Sequence, residues 1–589
     1  MRRRHHGKGA FSFGTRPMVY YNRSKQDLSY HNKTSANAGD LFPFYIQEIY
    51  PGDTFKVKTN VVMRVTSSLL KPVMDNAFLD IYYFFVPNRL TFSRWSEVMG
   101  ENKKGYWSQP SAVSVPNTFG GAVSDSETLD HRSIAAYFGL PQDVGLNNTN
   151  FFHLNVLPFR AFALIYNEWF RDENTQTPTY VNVDESTSLT DKINNSPWSP
   201  SNYMGLVPKV NKLHDYFTSC LPSPQKGAPV TIDSASFPAS SIPVLSQDVN
   251  NYAATPSFDA YPLRFGIGAA VGGISSNSVN GRNQSVREVA FGAAGATQSS
   301  GAPLWPYDGE TPAPSVPTSP SGLYAMNLRA EIPETAIGSV TVNDLRMAFQ
   351  TQKMLEKDAR GGTRYVEYLQ EHFGVVSPDA RLQRPEFLGG RRIPMSVFQS
   401  TQTTSSTENG GALGEVGAFS LSNGTAGYNK GFVEHGFVIG VACVRQFHTY
   451  QQGIDRFWMR HDRLDYYDPV FSNIGEQPVY KTELYGMVDR DVVFGYNEAW
   501  ADLRFRPSKV TGQLNSFAPT PLDIWHFGDK YDNAPALNSE FIRETDVYIN
   551  RALSVKSDIS DQFIFDFYNK QSAIRVIPTY GTPGLIDHH

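Results

Sequence analysis

From Thr54 to Thr66 polar and apolar positions alternate without a break. Phe55, Val57, Thr59, Val61, Met63 and Val65 fall on one face, and Lys56, Lys58, Asn60 and Arg64 on the other, which predicts a half-buried strand. Phe78 to Val86, FLDIYYFFV, is almost wholly apolar and predicts a strand buried on both faces. Further strands are expected over Phe432 to Arg445, Met487 to Phe494, Asp546 to Val555 and Asp561 to Tyr568, the last with Phe563, Phe565 and Phe567 on one face. Helices are few. Phe159 to Arg171 sets Phe159, Phe162, Tyr166, Trp169 and Phe170 on one stripe. Asn343 is the expected cap of a helix over Leu345 to Arg360, ended by Gly361-Gly362, with a second helix over Tyr365 to Phe373. Strands at both ends and helices in long excursions between them predict an all-β sandwich with helical insertions.

Residues 231 to 330 break the pattern. Fifty of these hundred positions are Gly, Ala, Ser or Pro, and none is Lys. Such a stretch buries little by itself, so it is either a disordered linker or an excursion ordered by its neighbours.

Composition sharpens this reading. Of 589 residues 40% are hydrophobic and only 19% charged, enough for a sizeable core under a lightly charged surface. The 30 Tyr and 39 Phe favour strands and large interfaces, and 38 Pro with 46 Gly imply many turns. Cys220 and Cys443 are too few for a disulfide framework, which suits assembly in a reducing cytoplasm. Arg2 to Arg4 resemble the start of a secretory leader, but Gly, Lys and Ser follow where an apolar run would stand, and no run approaches 18 apolar residues. Residues 1 to 25 hold seven basic groups with no acid before Asp27, so the net charge of −5 leaves −12 on the remainder. A basic arm on an acidic body is the pattern of a protein that touches polyanion with one end, and a solvated tail fits the residues equally well.

No catalytic constellation emerges. Gly266, Gly268 and Gly272 lack the third fingerprint spacing and the following helix of a dinucleotide site. Asp462, Asp465 and Asp468 match no cation loop and fit a turn shared with Arg460 and Arg463. His435 beside Glu434, and His214 beside Asp215, have no nucleophile elbow with them. No cofactor and no metal are expected.

The segment Arg360 to Gly390, RGGTRYVEYLQEHFGVVSPDARLQRPEFLGG, packs paired glycines, a short helix, a Ser-Pro turn and a loop with Arg381, Arg384 and Glu386 into about thirty residues, as befits a fixed connector between subunits. It resembles the signature segment of the major capsid proteins of gokushoviruses, small icosahedral single-stranded DNA phages of the microvirus family. LPFRAFALIYNEWFRDEN (Leu157 to Asn174), KLHDYFTSCLPSPQKG (Lys212 to Gly227), TYQQGIDRFWMRHDRLDYYDPVFSNIGEQPVY (Thr449 to Tyr480), VFGYNEAWADLRFRPSKVTG (Val493 to Gly512) and PGLIDH (Pro583 to His588) resemble further motifs in family order. Ser223 and Asp468 stand where that family more usually carries tryptophan.

The resemblance implies an eight-stranded antiparallel jelly roll with long inter-strand loops and no enzymatic activity. It implies 60 copies in a T=1 shell, joined by pentameric and three-fold contacts around a circular single-stranded DNA genome. Residues 1–50 would be a basic arm on the inner surface, with Arg2, Arg3, Arg4, Lys8 and Arg16 near phosphates. Residues 51–225 would hold the first strands, and 336–589 the remaining strands, helices and a C-terminal inter-subunit arm. Residues 226–335 would be a hypervariable three-fold protrusion packed through Phe258, Tyr261, Phe265, Phe291, Trp305 and Tyr307 and meeting a bacterial surface receptor. Arg381, Arg384 and Glu386 would anchor a subunit interface; an internal salt-bridge cluster reads as well. Other expected partners are a small basic packaging protein, an internal scaffolding protein and a minor capsid or pilot protein, with assembly in the host bacterial cytoplasm and residence in the virion. The competing class is a secreted β-sandwich, either carbohydrate-active or adhesin-like, against which the basic arm and the lack of an apolar leader count.

Overall fold

The computed structural model describes residues 23–102, 113–118, 127–185, 189–231, 341–403 and 413–580, with four three-residue strands between 244 and 330. Among the described residues there are sixteen strands. Five come early: β1 Ser24–Asp27, β2 Tyr30–Ala36, β3 Phe42–Ile49, β4 Thr54–Val65 and β5 Ala77–Pro87. Four short ones follow: β6 Val244–Ser246, β7 Phe265–Ile267, β8 Leu323–Ala325 and β9 Leu328–Ala330. The rest are β10 Glu386–Pro394, β11 Val397–Thr401, β12 Val416–Gly431, β13 Gly436–Gln446, β14 Glu476–Tyr480, β15 Val493–Glu498 and β16 Phe563–Arg575.

The strict alternation of β4 does what it predicts. Phe55, Val57, Thr59, Val61 and Met63 are buried, whereas Lys56, Lys58 and Arg64 stay exposed. β5 is buried along both faces except at Tyr82. β4 belongs to a six-stranded antiparallel sheet ordered β1-β16-β4-β12-β11, with β2 also paired to β16. β5 belongs to a four-stranded sheet ordered β10-β5-β13-β3. The inner faces meet in a slab of rings: Phe44 stacks on Phe567 at 4.3 Å, Phe42 meets Phe565 at 5.2 Å, and Tyr83 meets Tyr428 at 5.2 Å. Within the slab the Thr59 hydroxyl donates to Asn569 Oδ1 at 2.6 Å, and the Tyr45 and Tyr428 hydroxyls meet at 3.1 Å. This interior, rich in β-branched and aromatic side chains, is the main core.

The amphipathic stretch after residue 156 forms the helix Leu157–Ile165, continued by a wider turn over Tyr166–Phe170. Arg160, fully buried, fixes it with an ion pair to Asp191 at 3.1 Å and hydrogen bonds to the carbonyls of Thr91 and Asp184. A longer helix, Val342–Gly361, and a second, Tyr365–Phe373, come later in the chain, separated by Gly362 at φ +96°. The chain divides into two units, residues 1–228 with 354–589, and residues 229–353. In the second unit β6 pairs with β9 and β7 with β8.

Several expectations are corrected. Asp546 to Val555 is a helical turn, Val547–Asn550, and not a strand, because the Asn550 side chain ties the turn to Ser557 and Gln562. Most of Met487 to Phe494 is a charged turn, closed by Val492 N–H on the Asp489 carbonyl, and the strand begins at Val493. β13 begins at Gly436; Phe432 owes its apolar character to plugging the space between Phe55 and Phe85. Thr341, not Asn343, caps the long helix, by reciprocal hydrogen bonds with Asp344. Strands β1 to β3 occupy most of residues 24–49, so an arm of 1–50 overlaps the sheets and any free arm ends before Ser24.

Candidate assembly surfaces

The connector that carries the signature segment is pinned at both ends. Arg364, at the head of the Tyr365–Phe373 helix, donates to the carbonyls of Asn167 at 3.1 Å and Arg171 at 2.8 Å, satisfying groups left open where the Leu157 helix stops. Gly374 ends the second helix in the left-handed conformation at φ +66°. The Arg384 guanidinium lies over the Trp169 ring at 4.1 Å and pairs with Asp379 at 3.2 Å, while the Trp169 indole N–H donates to the Pro385 carbonyl at 3.1 Å. Glu386, the first residue of β10, accepts from Lys430 at 2.6 Å. Arg381 is exposed and has no ion pair among the described residues. Arg384 and Glu386 thus each find their own partner within the chain, and neither pairs with the other.

A second surface runs through the stretch between β13 and β16. Beneath it lies a small core of Tyr216, Phe217, Tyr450, Val479, Leu484 and Phe541. Glu483 is buried there, accepting from the Tyr216 hydroxyl at 2.7 Å, and burial raises its carboxyl pKa above the ordinary range. Above that core the chain makes only short turns and β14–β15, and it leaves large apolar groups uncovered. Trp458 is 69% exposed and Val470 82%, with Phe457, Leu464, Leu503 and Phe505 also exposed. A run of exposed apolar groups of this kind marks an interaction surface. Its signal in the sequence is the aromatic density of residues 449–480, but burial and exposure of an aromatic look alike in a one-dimensional pattern.

This stretch is tied to the main sheets by a buried charge cluster. His448, just past β13, shares Asp529 at 2.7 Å on one ring nitrogen and Glu544 at 3.2 Å on the other. Lys212 reaches Asp529 at 3.2 Å, and the Tyr531 hydroxyl donates to it at 2.7 Å. Burial alone would lower the His448 pKa; the two carboxylates overcome it and raise it to about 10. Asp529 is pushed well below the usual carboxylate range by His448 and Lys212, against the effect of burial.

Residues 17–585 match the family model described as capsid protein (F protein). The chain belongs to that family. It is 37% identical over 596 residues to capsid protein VP1 of Chlamydia phage 1, covering 97% of each chain. It is 36% identical to capsid protein VP1 of Spiroplasma virus 4, over 96% of this chain and 95% of that one, and 35% identical to capsid protein VP1 of Bdellovibrio phage phiMH2K, over 97% of both. The role of this phage capsid protein is structural, not enzymatic, and its place is the virion.

Other predicted residues of the capsid protein fall as follows. Arg2, Arg3, Arg4, Lys8 and Arg16 lie outside the described residues, as do Phe258, Tyr261, Phe291, Trp305 and Tyr307; Phe265 opens β7. Asp465 accepts from the backbone N–H groups of His461 and Asp462, Asp468 caps the turn at Val470, and Arg460 pairs with Asp502, away from the expected turn. Among the described residues no three His, Cys, Asp or Glu side chains are grouped to hold a metal. Glu434 pairs with Arg89, and Asp215 caps the turn at Phe217 and Thr218. Both thiols are buried and unbridged, and burial raises the Cys443 pKa to about 12.

Proposed function

We propose that this capsid protein forms an eight-stranded jelly roll that self-assembles, 60 copies at a time, into a T=1 icosahedral shell around a circular single-stranded DNA genome. The observation that carries the reading is the order of pairing. Going forward, β2, β3, β4 and β5 pair antiparallel with β16, β13, β12 and β10, going backward. That is one long antiparallel ribbon folded on itself and wrapped so that alternate pairs fall in opposite sheets, as in viral jelly rolls. The exposed apolar surface around Trp458 supports a large permanent interface, as do the rigidly mounted Arg384 and Glu386 and the exposed Arg381 nearby.

In this reading the basic residues before Ser24, including Arg2, Arg3, Arg4, Lys8 and Arg16, meet the genome from inside, and residues 226–335 form the three-fold protrusion that meets a bacterial receptor. Seven basic groups per arm leave most genome phosphates unneutralised, so a small basic packaging protein supplies further charge. An internal scaffolding protein and a minor capsid or pilot protein complete assembly in the host cytoplasm. Size-exclusion chromatography with electron microscopy of the expressed chain and its companion proteins tests the reading. Closed megadalton particles of icosahedral symmetry, holding DNA, are the expected result; a chain that stays monomeric under all assembly conditions would overturn it.

A further inference from the structure

The outward face of the six-stranded sheet carries charge that the sheet itself does not balance. Lys58 on β4 and Lys570 on β16 are direct cross-strand partners, and both are exposed. Like charges placed opposite one another weaken a sheet. Lys56 lies two residues along β4, about 7 Å away at the rise of an extended strand, and Arg64 and Lys25 extend the same face. None of these five cations has an ion pair among the described residues. The acids on this face are few: Asp566 is taken up by Lys33 at 2.9 Å and His31 at 3.2 Å, and Asp27, hydrogen-bonded by the backbone and hydroxyl of Ser29, is also attracted by Lys570 and Lys25, one carboxylate set against several cations. At the margin the His31 and Tyr568 rings stack at 4.6 Å, beside Asn60, the cross-strand partner of Tyr568.

We propose that this sheet face is a binding platform for single-stranded nucleic acid, in which Lys56, Lys58 and Lys570 take successive phosphates and the Tyr568–His31 pair offers a ring surface to a base. It rests on the reading that the shell encloses nucleic acid, and adds a second, folded contact surface to the arm. The charges fit a polyanion because Lys56 and Lys58 along β4 and Lys570 beside them on β16 form a compact group on an exposed sheet face. A single strand is favoured over a duplex because a flexible backbone can turn from one lysine to the next while its unstacked bases reach the rings. The sheet tolerates the Lys58–Lys570 opposition because the ligand supplies the missing counter-charge.

The test uses the full-length chain and a 30-nucleotide oligothymidylate, titrated across salt concentrations. Lys56→Gln/Lys58→Gln/Lys570→Gln should lower the log–log salt slope by about 2, at about 0.7 per single-strand phosphate, and weaken binding on the order of tenfold. Tyr568→Ala should weaken binding about fivefold with the slope unchanged. The ligand-free triple variant should melt at the same temperature as the parent or higher, since a repulsion is removed; a merely structural role for the lysines predicts the reverse. Lys357→Gln/Lys530→Gln/Lys556→Gln, exposed lysines elsewhere, should change affinity less than twofold. An unchanged slope in the first triple, an equal loss in the control triple, or tighter binding to heparin than to the oligonucleotide would overturn the proposal, the last in favour of a cell-surface polyanion. DNA content of the parent particles separates the two readings: particles without DNA sink the enclosing shell, whereas DNA-filled particles with an unaltered triple variant sink only the sheet-face platform.

Discussion

His448 and Asp529 share a 2.7 Å hydrogen bond at a point where neither side chain reaches solvent, and Lys212 closes on the same carboxylate. The pair is charged on both sides, since His448 is raised to about 10 and Asp529 is depressed. The His448 contribution is complete below its unfolded pKa of about 6.5 and is lost as pH rises toward 10; that of Asp529 is complete above about 3.9 and is lost as pH falls through its depressed folded value. Thermal stability should therefore be broadest between about pH 4 and 6.5. Asp529→Asn should cost about 3–5 kcal/mol at neutral pH, because Lys212 is left buried without a counter-charge and His448 keeps only Glu544. Melting curves of parent and variant from pH 4 to 10 check both; coincident curves would refute the cluster's role.

Arg384 holds the signature connector to the Leu157 helix through the Trp169 ring. Arg384→Ala should cost about 1–2 kcal/mol and speed amide exchange across residues 376–386, with little change in the main sheets. Arg384→Lys should recover only part of this, since an ammonium cannot lie flat on the indole. Equal exchange in all three proteins would remove the connector's anchor.

Trp458 is mostly exposed in the single chain, so Trp458→Ser should leave the melting temperature of the subunit within about 1–2 °C. If neighbouring copies cover it, the same change should cost 2 kcal/mol or more per contact, and the yield of closed particles should collapse. Sedimentation of parent and variant decides. Normal particle yield would show that the Trp458 surface is not an assembly contact.

Gly453 sits where a Cβ would fall 1.8 Å from the Glu483 carbonyl oxygen. That oxygen is backbone and cannot swing away. Gly453→Ala should destabilise the small core under the apolar surface by about 2 kcal/mol or more, read as a lowered unfolding midpoint in urea.

Replacing residues 240–320 with a short Gly-Ser bridge should leave particle assembly intact and abolish adsorption to host cells. Equal adsorption by trimmed and full-length particles would exclude a receptor role for that stretch.

The sequence made some of this architecture legible and hid the rest for physical reasons. β4, β5 and β16 stand out because each has either a clean polar face or none. β12, VGAFSLSNGTAGYNKG, does not, because glycine, serine and asparagine have little strand preference of their own. Its conformation comes from pairing with β4 along eleven residues, a contact made across some 360 positions of chain. At Gly424 any side chain would collide with Ile393 of β10, so the residue that weakens the strand signal is the one the packing requires. Arg384 and Glu386 were visible as charges in a turn-rich segment, whereas Trp169 and Lys430 were not visible as their partners. The Trp458 surface was missed because local sequence does not report whether an aromatic ring is covered.

β16 lies between the earliest strands and β4, so the centre of the larger sheet is filled by a strand made after all the other described ones. While a ribosome is still at work, β2 and β4 have no neighbour on the sides they will share, and the rings of Phe42 and Phe44 lack Phe565 and Phe567. A chain whose synthesis stops short of β16 therefore lacks a closed core. Arrival of β16 is the step that closes the fold, a condition written into the order of the strands.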